Sequence, residues 1–355
     1  MDRQLGVGII GTGGMAVGSH IPNFLKHPAV RLAAVCDVNK ESVQAAARRF
    51  GVAECYTDYR ELIARAPVDL VAVCTTNDQH APASILACER RLHVLCEKPL
   101  ALDLAQAESM LAAARQFGVN TAVNFSYRQN PAVRFIKDII DSGDLGQIYQ
   151  VSFKYLQGYL ADPETPLHPA RTWRAEKRFA GQGVLGDLGS HMIDLSRFWF
   201  GEISAVQALM RTFHTERPLI GGGTVQVDGD DVTVALLDFE TGTVGTLQTS
   251  WAATPWSNHQ HIEIYGSKGG IVYENENQQT IMAVFGTPMA KYRAMAPVQV
   301  PASYHGALTT HQHAFVEAIL KGEQYVPGFA EGVACQRILD GIASAAESGQ
   351  RLRLA

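Results

Sequence analysis

An aspartate and a histidine stand one helical turn apart in a glycine-rich segment of the chain, residues 181–194. Asp187 and His191 are spaced i and i+4, so they share one face if the run from Leu188 to Phe200 is helical. A carboxylate one turn before a histidine fixes its tautomer and stabilises its cation, as a general acid or base near neutral pH requires. The spacing therefore predicts a catalytic pair.

Asp194 lies on the same helical face as Asp187 and His191. Three other functions of this segment compete with the catalytic pair. Asp187, His191 and Asp194 could together ligate a metal ion, but no further Cys or His accompanies them, so no metal site is expected. A purely structural histidine capped by the aspartate is the second alternative. A serine hydrolase is excluded because Ser190 lacks the G-x-S-x-G surroundings. We expect Asp194 to be structural rather than catalytic.

A second candidate catalytic group is Lys98, in the sequence Glu97-Lys98-Pro99 directly after an apolar strand-like run. Ligands of parallel sheets bind beyond the carboxyl ends of the strands, so this ammonium is expected at the mouth of a cleft. Its reference pKa near ~10.4 makes Lys98 a better hydrogen-bond donor to a developing alkoxide than a lone base.

The start of the chain carries the pattern of a dinucleotide-binding turn. Gly11, Gly13 and Ala16 fill the three small positions of G-x-G-x-x-A, and Thr12, Gly14 and Met15 lie between them. The helix after this turn would direct its free N–H groups and its positive end at phosphates. We therefore expect residues 11–16 to bind the cofactor pyrophosphate.

Asp37 ends the second apolar run, at about the spacing of a ribose-binding acid. A carboxylate there accepts hydrogen bonds from ribose hydroxyls and repels a 2′-phosphate, which favours NAD. Lys40 and Arg48 keep NADP open. The alternative is that Asp37 only begins a turn.

Polar residues also follow the later strand-like runs of this half. We expect Thr75, Asn77, His80 and Glu97 to contact the cofactor. Turn and cap functions are equally good explanations for Asn77, and His80 could equally lie in a first helical turn without touching a ligand.

Alternating apolar and helical patterns position these residues. From Leu5 to about Asn124 they predict βαβ units and a parallel sheet, and after Tyr127 they predict a mostly antiparallel set of strands closed by two helices. The fold class is thus α/β, with an N-terminal Rossmann domain, residues 1–125, and a C-terminal α+β domain, residues 126–355.

Composition narrows the class of protein. The 355 residues carry a net charge of −5 without long charged runs, so neither a nucleic-acid partner nor a membrane surface is expected. No apolar stretch approaches bilayer length, and there is no room for a signal peptide before the first strand, so a cytoplasmic location is expected. The six cysteines form no C-x-x-C pair and are expected to be reduced.

Three segments, Gly11-Thr12-Gly13-Gly14-Met15-Ala16, Glu97-Lys98-Pro99 and residues 186–194, together resemble the Gfo/Idh/MocA family of sugar and inositol dehydrogenases. The resemblance implies an open, mainly antiparallel second sheet whose exposed face makes homodimers or homotetramers. It implies that Lys98 contacts the reacting hydroxyl and joins a proton relay, that Asp187 and His191 complete the active site, and that His191 accepts the proton.

The same resemblance suggests further contacts. Arg128 and the pair Trp173-Arg174 match positions near cofactor or substrate in related chains. Residues 154–159 are similar to a subgroup acting on inositols or levoglucosan, although Gly158-Tyr159 replaces its usual Asp-Trp. Tyr127 and Tyr155 could line a hydroxyl-rich pocket, while strand alternation makes a core position equally good for Tyr155.

We expect an NAD(P)-dependent oxidoreductase that transfers hydride between a secondary hydroxyl of a cyclic polyol or sugar and nicotinamide. Two alternatives stay open at this point. One is a non-catalytic sensor of dinucleotide or sugar, and the other is an NAD-dependent glycosidase of the same family.

Overall fold

The computed structural model describes residues 4–286, 293–305 and 310–354. The chain forms two compact units. One comprises Met1–Asn124 with Thr309–Gln336, and the other comprises Phe125–Leu308 with Arg337–Ala355.

The first unit is built on a six-stranded sheet in which every pair of neighbours is parallel. Its strands are β1 (Leu5–Ile10), β2 (Val30–Cys36), β3 (Glu54–Tyr56), β4 (Leu70–Val73), β5 (His93–Cys96) and β6 (Thr121–Val123). They lie in the order β3-β2-β1-β4-β5-β6, the order of a dinucleotide-binding sheet. The central strands are almost wholly buried, as a parallel sheet with helices on its faces requires.

Helices connect these strands. They are α1 (Ile21–Leu25), α2 (Lys40–Phe50), α3 (Tyr59–Arg65), α4 (His80–Glu89) and α5 (Leu104–Phe117). The side chain of Asn39 caps α2 by accepting from the backbone N–H groups of Glu41 and Ser42. Gly51 and Gly118 end α2 and α5 in the left-handed conformation, which glycine adopts without strain.

The second unit contains a nine-stranded, mostly antiparallel sheet. Its strands are β7 (Ile148–Leu156), β8 (Ile203–Arg211), β11 (Val232–Phe239), β12 (Val244–Ser250), β13 (His259–Gly266), β14 (Gly270–Glu274), β15 (Thr280–Val284), β16 (Ala296–Gln299) and β17 (Leu352–Arg353). They lie in the order β16-β15-β14-β13-β7-β12-β11-β8-β17, with β7 and β12 parallel. A separate hairpin pairs β9 (Glu216–Pro218) with β10 (Thr224–Gln226).

Helices cover one face of this sheet. The second unit contains α6 (Pro131–Asp141), α7 (Lys177–Ala180), α8 (Ser190–Phe200) and α9 (Ala302–His305). Trp199 of α8 stacks on Phe153 of β7 at 6.1 Å between ring centroids. Along β11 the side chains alternate, with Ala235 and Leu237 buried and Leu236 exposed. The sheet therefore has one packed face and one open face.

Two further helices, α10 (His311–Lys321) and α11 (Phe329–Ser348), precede the last strand, β17. Phe315, Val316 and Tyr325 are buried in the same core as Val7 and Ile9 of β1. The single sequence division after residue 125 placed this segment in the second domain. The structure instead groups Thr309–Gln336 with the first unit, because α10 brings an apolar face to that core.

The sequence patterns also missed several short elements. Strand β3 and helix α3 were not predicted, and the glycine-rich stretch after Pro218 contains β10. Helix α6 begins at Pro131, after a short 3₁₀ turn, Ser126–Gln129, that carries Arg128. Within the described part of the chain, no helix has the length and apolar character needed to cross a membrane.

Candidate active site

The glycine turn after β1 has the shape that a phosphate-binding turn needs. Gly11 has φ of 93°, and a Cβ there would lie 2.5 Å from the carbonyl oxygen of Cys74, so only glycine fits. A Cβ on Gly13 or Gly14 would meet no described atom within 4 Å, so backbone at these positions is open to a ligand. Ala16 is fully buried and begins a π-helical turn that ends at His20. The turn fits a dinucleotide pyrophosphate.

Asp37 lies at the carboxyl end of β2 and is bonded to this turn. Its Oδ2 accepts from the backbone N–H of Thr12 at 2.7 Å and from the Thr12 hydroxyl at 2.9 Å, while Oδ1 accepts from the N–H of Asn39. A carboxylate has about four acceptor sites, so capacity remains for ribose hydroxyls. Asp37 therefore both shapes the turn and suits NAD.

The residues after β4 differ in what they can touch. Thr75 is half-buried, and its hydroxyl donates to the carbonyl oxygen of Thr76. Asn77 is buried in a short 3₁₀ turn. Cofactor contact by Thr75 and Asn77 stays a prediction.

His80 lies at the start of α4, and its side chain is bonded to the segment that carries Lys98. It is fully buried, with Nδ1 3.0 Å from the carbonyl oxygen of Pro99 and Nε2 3.3 Å from that of Thr75. Burial lowers the pKa of His80, and a neutral imidazole has one N–H, which the shorter contact assigns to Pro99. His80 therefore holds the Glu97-Lys98-Pro99 segment, and cofactor contact by His80 stays a prediction.

Glu97 and Lys98 follow β5, and Glu97 is held by a buried polar cluster. Its Oε1 lies 2.6 Å from Nε2 of His20 and accepts from Nδ2 of Asn124 at 2.8 Å. Its Oε2 accepts from the backbone N–H of Lys98 at 3.2 Å. Glu97 is 8% exposed, whereas Lys98 is half-buried. We infer that the buried Glu97 positions Lys98 through this backbone hydrogen bond.

The contact between His20 and Glu97 shifts the pKa values of the two groups in opposite directions. Burial opposes the charge on both groups, but the contact with His20 outweighs it and lowers the pKa of Glu97 to about 2. Burial likewise lowers the pKa of His20, while Cys74 and Glu97 more than compensate and raise it. Gln312 contacts Nδ1 of His20 at 2.9 Å and suits either charge state, because its amide can present nitrogen or oxygen.

In the second unit, Asp187 and His191 lie on the predicted helix, which begins earlier than expected. A π-helical turn, Leu185–Gly189, carries Asp187 and continues into α8, which carries His191. Single π-helical turns are frequent at functional sites because they re-aim side chains. Asp187 is half-buried and His191 is 8% exposed.

Asp230 anchors the start of this helix. No motif described above includes this residue. It is buried, and its carboxylate accepts from the N–H groups of Gly183 and Leu185 at 2.8 and 3.0 Å and from the hydroxyl of Thr233 at 2.6 Å. Burial raises the pKa of Asp230, although these donors oppose the rise. We infer that Asp230 positions the segment carrying Asp187.

A chain of hydroxyl groups lies beside His191. The ring of Tyr127 meets the His191 ring edge-on at 4.6 Å, and the Tyr155 ring lies at 6.3 Å. The two tyrosine hydroxyls are 2.8 Å apart, and that of Tyr155 donates to Oδ1 of Asn258 at 2.6 Å. Burial, then Tyr127 and Asp187, raise the pKa of Tyr155, so its hydroxyl is neutral.

The charge of Asp187 also reaches Tyr159. Burial and then Asp187 raise the pKa of Tyr159, while Arg174, Arg171 and Arg217 oppose the rise. The guanidinium of Arg174 stacks on the neighbouring Trp173 ring at 4.4 Å. Cofactor contact by Trp173 and Arg174 stays a prediction.

Arg128 and Asp194 form a buried ion pair with each other. Nε and NH2 of Arg128 donate to the two oxygens of Asp194 at 2.8 and 2.6 Å, and both side chains are at least nine-tenths buried. This ion pair supports the structural role that the sequence predicts for Asp194. Arg128 supports helix α8 through this pair, and cofactor contact by Arg128 stays a prediction.

The four residues that sequence reasoning missed are His20, Asn124, Asp230 and Asn258. Each acts through a partner distant in the chain, such as Glu97 for His20 or Gly183 for Asp230. Of these four residues, His20 and Asn124 have a local signal in the sequence, because each is a polar residue beside an apolar run.

Comparison with known proteins adds two matching family models. The model described as "Oxidoreductase family, NAD-binding Rossmann fold" matches residues 5–125, and the "GFO/IDH/MocA C-terminal domain" matches residues 133–272. Together they span more than half of the chain.

Individual relatives agree with these models. Levoglucosan dehydrogenase of Pseudarthrobacter phenanthrenivorans is 33% identical over 97% of this chain and 96% of its own. Myo-inositol 2-dehydrogenase of Thermotoga maritima is 28% identical over 78% of this chain and 77% of its own. A solved structure of levoglucosan dehydrogenase in complex with NADH and L-sorbose is similar with a TM-score of 0.92, at 31% identity and 99% coverage of both chains.

Proposed function

The chain belongs to the GFO/IDH/MocA family of NAD-binding oxidoreductases, and from that premise we propose that it oxidises a secondary hydroxyl of a cyclic polyol or sugar. The observation that carries the proposal is the run of hydroxyl and amide groups beside His191, formed by Tyr127, Tyr155 and Asn258. Such groups donate and accept hydrogen bonds, which suits a ligand rich in hydroxyls.

The first unit has the groups that hold NAD. Backbone at Gly13 and Gly14 is open to the pyrophosphate, and Asp37 accepts from ribose hydroxyls. When bound, the nicotinamide supplies the hydride chemistry. The carboxylate of Asp37 disfavours a 2′-phosphate by repulsion, so NAD is preferred over NADP.

Three side chains are assigned to the proton and charge steps. His191 accepts the hydroxyl proton, and the carboxylate of Asp187 stabilises the imidazolium that forms. Lys98 donates a hydrogen bond to the oxygen as negative charge develops on it. Glu97 accepts a hydrogen bond from the Lys98 backbone N–H and is itself held by His20. These buried contacts fix the position from which the Lys98 ammonium extends.

A substrate panel tests the activity. The untagged protein is assayed for NADH and NADPH formation with levoglucosan, myo-inositol, hexoses and acyclic polyols. We expect net NADH accumulation with at least one cyclic compound, and less with acyclic polyols. Dinucleotide binding without turnover on the whole panel would favour a sensor, whereas sugar release without NADH accumulation would favour an NAD-dependent glycosidase.

Lys98→Ala tests the assigned hydrogen bond. Loss of one such donor costs on the order of 100-fold in turnover, measured at saturating NAD with the best substrate of the panel. Lys26→Ala, which removes an exposed lysine of the same unit, is the matched control and should leave turnover unchanged. Equal turnover in Lys98→Ala and the control would refute the role.

We also propose that the open face of the second sheet joins copies of the chain into homodimers or homotetramers. Leu209, Val234, Leu236 and Val244 are 61%, 42%, 55% and 52% exposed on neighbouring strands. Exposed apolar surface of this kind marks an interaction site. Light scattering of Leu236→Glu should show smaller assemblies than the parent chain, and an unchanged mass would contradict the proposal. The cytoplasmic location stays a prediction.

A further inference from the structure

Two histidines and a glutamate meet on the open face of the second unit's sheet. His259 and His261 alternate along β13, so both side chains are on the same face. Glu274 of β14 lies directly opposite His261 in the antiparallel register. One ligand atom from each of the three residues lies within 4.8 Å of the others.

The separation of these atoms is close to that of a zinc site. Tetrahedral Zn²⁺ with bonds of about 2.0–2.2 Å has ligand atoms about 3.4 Å apart. The widest separation, at most 4.8 Å, would need to close by up to about 1.4 Å, which small side-chain rotations can supply. Backbone movement is not needed, because paired strands already fix the spacing.

Further carboxylates orient both histidines. Oε1 of Glu276 lies 2.9 Å from Nδ1 of His259, and Oε1 of Glu263 lies 2.9 Å from Nε2 of His261. In metal sites the second ring nitrogen of a ligating histidine is commonly bonded to a carboxylate. The Trp256 ring stacks on His259 at 3.7 Å and 15°, which restricts its rotation.

The charge of the cluster also suits a divalent cation. Glu263, Glu274 and Glu276 bring three negative charges, and Lys154, paired opposite His261 on β7, brings one positive charge. With neutral imidazoles the cluster carries a net charge of about −2. A bound Zn²⁺ would neutralise this negative charge.

We propose that His259, His261 and Glu274 bind one Zn²⁺ ion, with water completing its coordination, and that Glu263 and Glu276 orient the two histidines. The mixed imidazole and carboxylate ligands favour zinc over magnesium or calcium, which prefer oxygen ligands. The ion would join β13 to β14 on the open face of the sheet. This proposal does not depend on the reaction that the protein catalyses.

Zinc titration of untagged, chelator-treated protein tests the site. Competition with a chromophoric chelator should give one Zn²⁺ per chain for the parent. His261→Gln and Glu274→Gln should lose this binding, while His214→Gln, a half-buried histidine of the same unit outside the cluster, should retain it. Equal zinc binding by His261→Gln and the parent, or no stoichiometric binding by the parent, would overturn the proposal.

The outer carboxylates give an independent measurement. Glu263→Gln and Glu276→Gln should weaken zinc affinity by about 10- to 100-fold while keeping one site per chain. Circular dichroism should confirm that each variant is folded. Zinc should also raise the melting temperature of the parent by a few degrees, because it binds the folded state, and should not raise that of His261→Gln. Unaltered affinity in both outer variants would contradict the assigned arrangement.

Discussion

Nε2 of His20 and Oε1 of Glu97 are 2.6 Å apart, although 77 residues separate the two in the chain. His20 ends the π-helical turn that follows the glycine motif, and Glu97 immediately precedes Lys98. The contact therefore links the turn assigned to NAD with the segment that carries the proposed hydrogen-bond donor. Both side chains are buried, so water does not weaken the interaction.

We predict that His20→Gln changes the pH profile of turnover. The substitution removes the contact that lowers the pKa of Glu97, so Glu97 should take up a proton at higher pH and then hold the Lys98 backbone less well. The acidic limb of the kcat profile should therefore shift to higher pH, and kcat at neutral pH should fall by about 10-fold because Lys98 is held less firmly. His93→Gln, which changes a histidine of β5, the strand before Glu97, is the control. Identical profiles for both variants would exclude a positioning role.

The same pair predicts a particular dependence of stability on pH. The pKa of Glu97 is lowered to about 2, so its contribution is present above its unfolded value of about 4.3 and lost as pH falls towards 2. The pKa of His20 is raised to about 10, so its contribution is complete below about 6.5 and lost as pH rises towards 10. Melting temperatures of the parent should therefore fall more steeply between pH 6.5 and 9.5 than those of His20→Gln. Parallel curves would contradict this assignment.

Cofactor choice should depend on Asp37. Asp37→Ala removes the acceptor for ribose hydroxyls and the repulsion of a 2′-phosphate, and it also frees the Thr12 N–H. We expect KM for NAD to rise by roughly 10-fold or more and the NADP to NAD ratio of kcat/KM to increase. Asp58→Ala, which removes the aspartate cap of α3, is the matched control. An unchanged ratio would argue against a ribose contact.

Breaking the Arg128–Asp194 pair should destabilise the protein strongly. Asp194→Asn leaves a buried guanidinium without its counter-charge, and such losses cost about 3–5 kcal/mol of the free energy of unfolding in urea. The double variant Arg128→Met with Asp194→Leu should recover part of this loss. Removing the exposed Arg60–Asp58 pair by Arg60→Ala should cost less than about 1 kcal/mol. Similar losses in both single variants would contradict the structure.

Asp230→Ala should affect both stability and turnover. Three buried donors lose their acceptor, at about 1–3 kcal/mol for each group left unsatisfied, and the Asp187 segment loses its anchor. We expect lower kcat at saturating substrate with little change in KM for NAD. Asp228→Ala, which changes an exposed neighbour whose carboxylate accepts from the Lys177 N–H, is the control. Asp230→Asn, which keeps an acceptor oxygen, should be intermediate, and parent-like kinetics in Asp230→Ala would refute the anchoring role.

The sequence was informative where the signal is local. The glycines of residues 11–16, the apolar runs of β1 and β5 and the i, i+4 spacing of Asp187 and His191 are each set within a few residues, and all were found. Polar residues at strand ends were harder to interpret. His80 and Arg128 have the chemistry of ligand contacts, but burial gives them carbonyl and carboxylate partners inside the protein.

The sequence by itself determined that a dinucleotide turn, a Lys98 segment and an Asp187–His191 segment occur in this order, because turn chemistry and periodicity are properties of neighbouring residues. Only the tertiary structure decided that His20 bonds Glu97, that Asp230 holds the Gly183 segment and that Glu274 lies opposite His261. These contacts depend on strand register and on helix packing over long sequence separations. Such pairings follow from burial of the whole core, and no short segment specifies them.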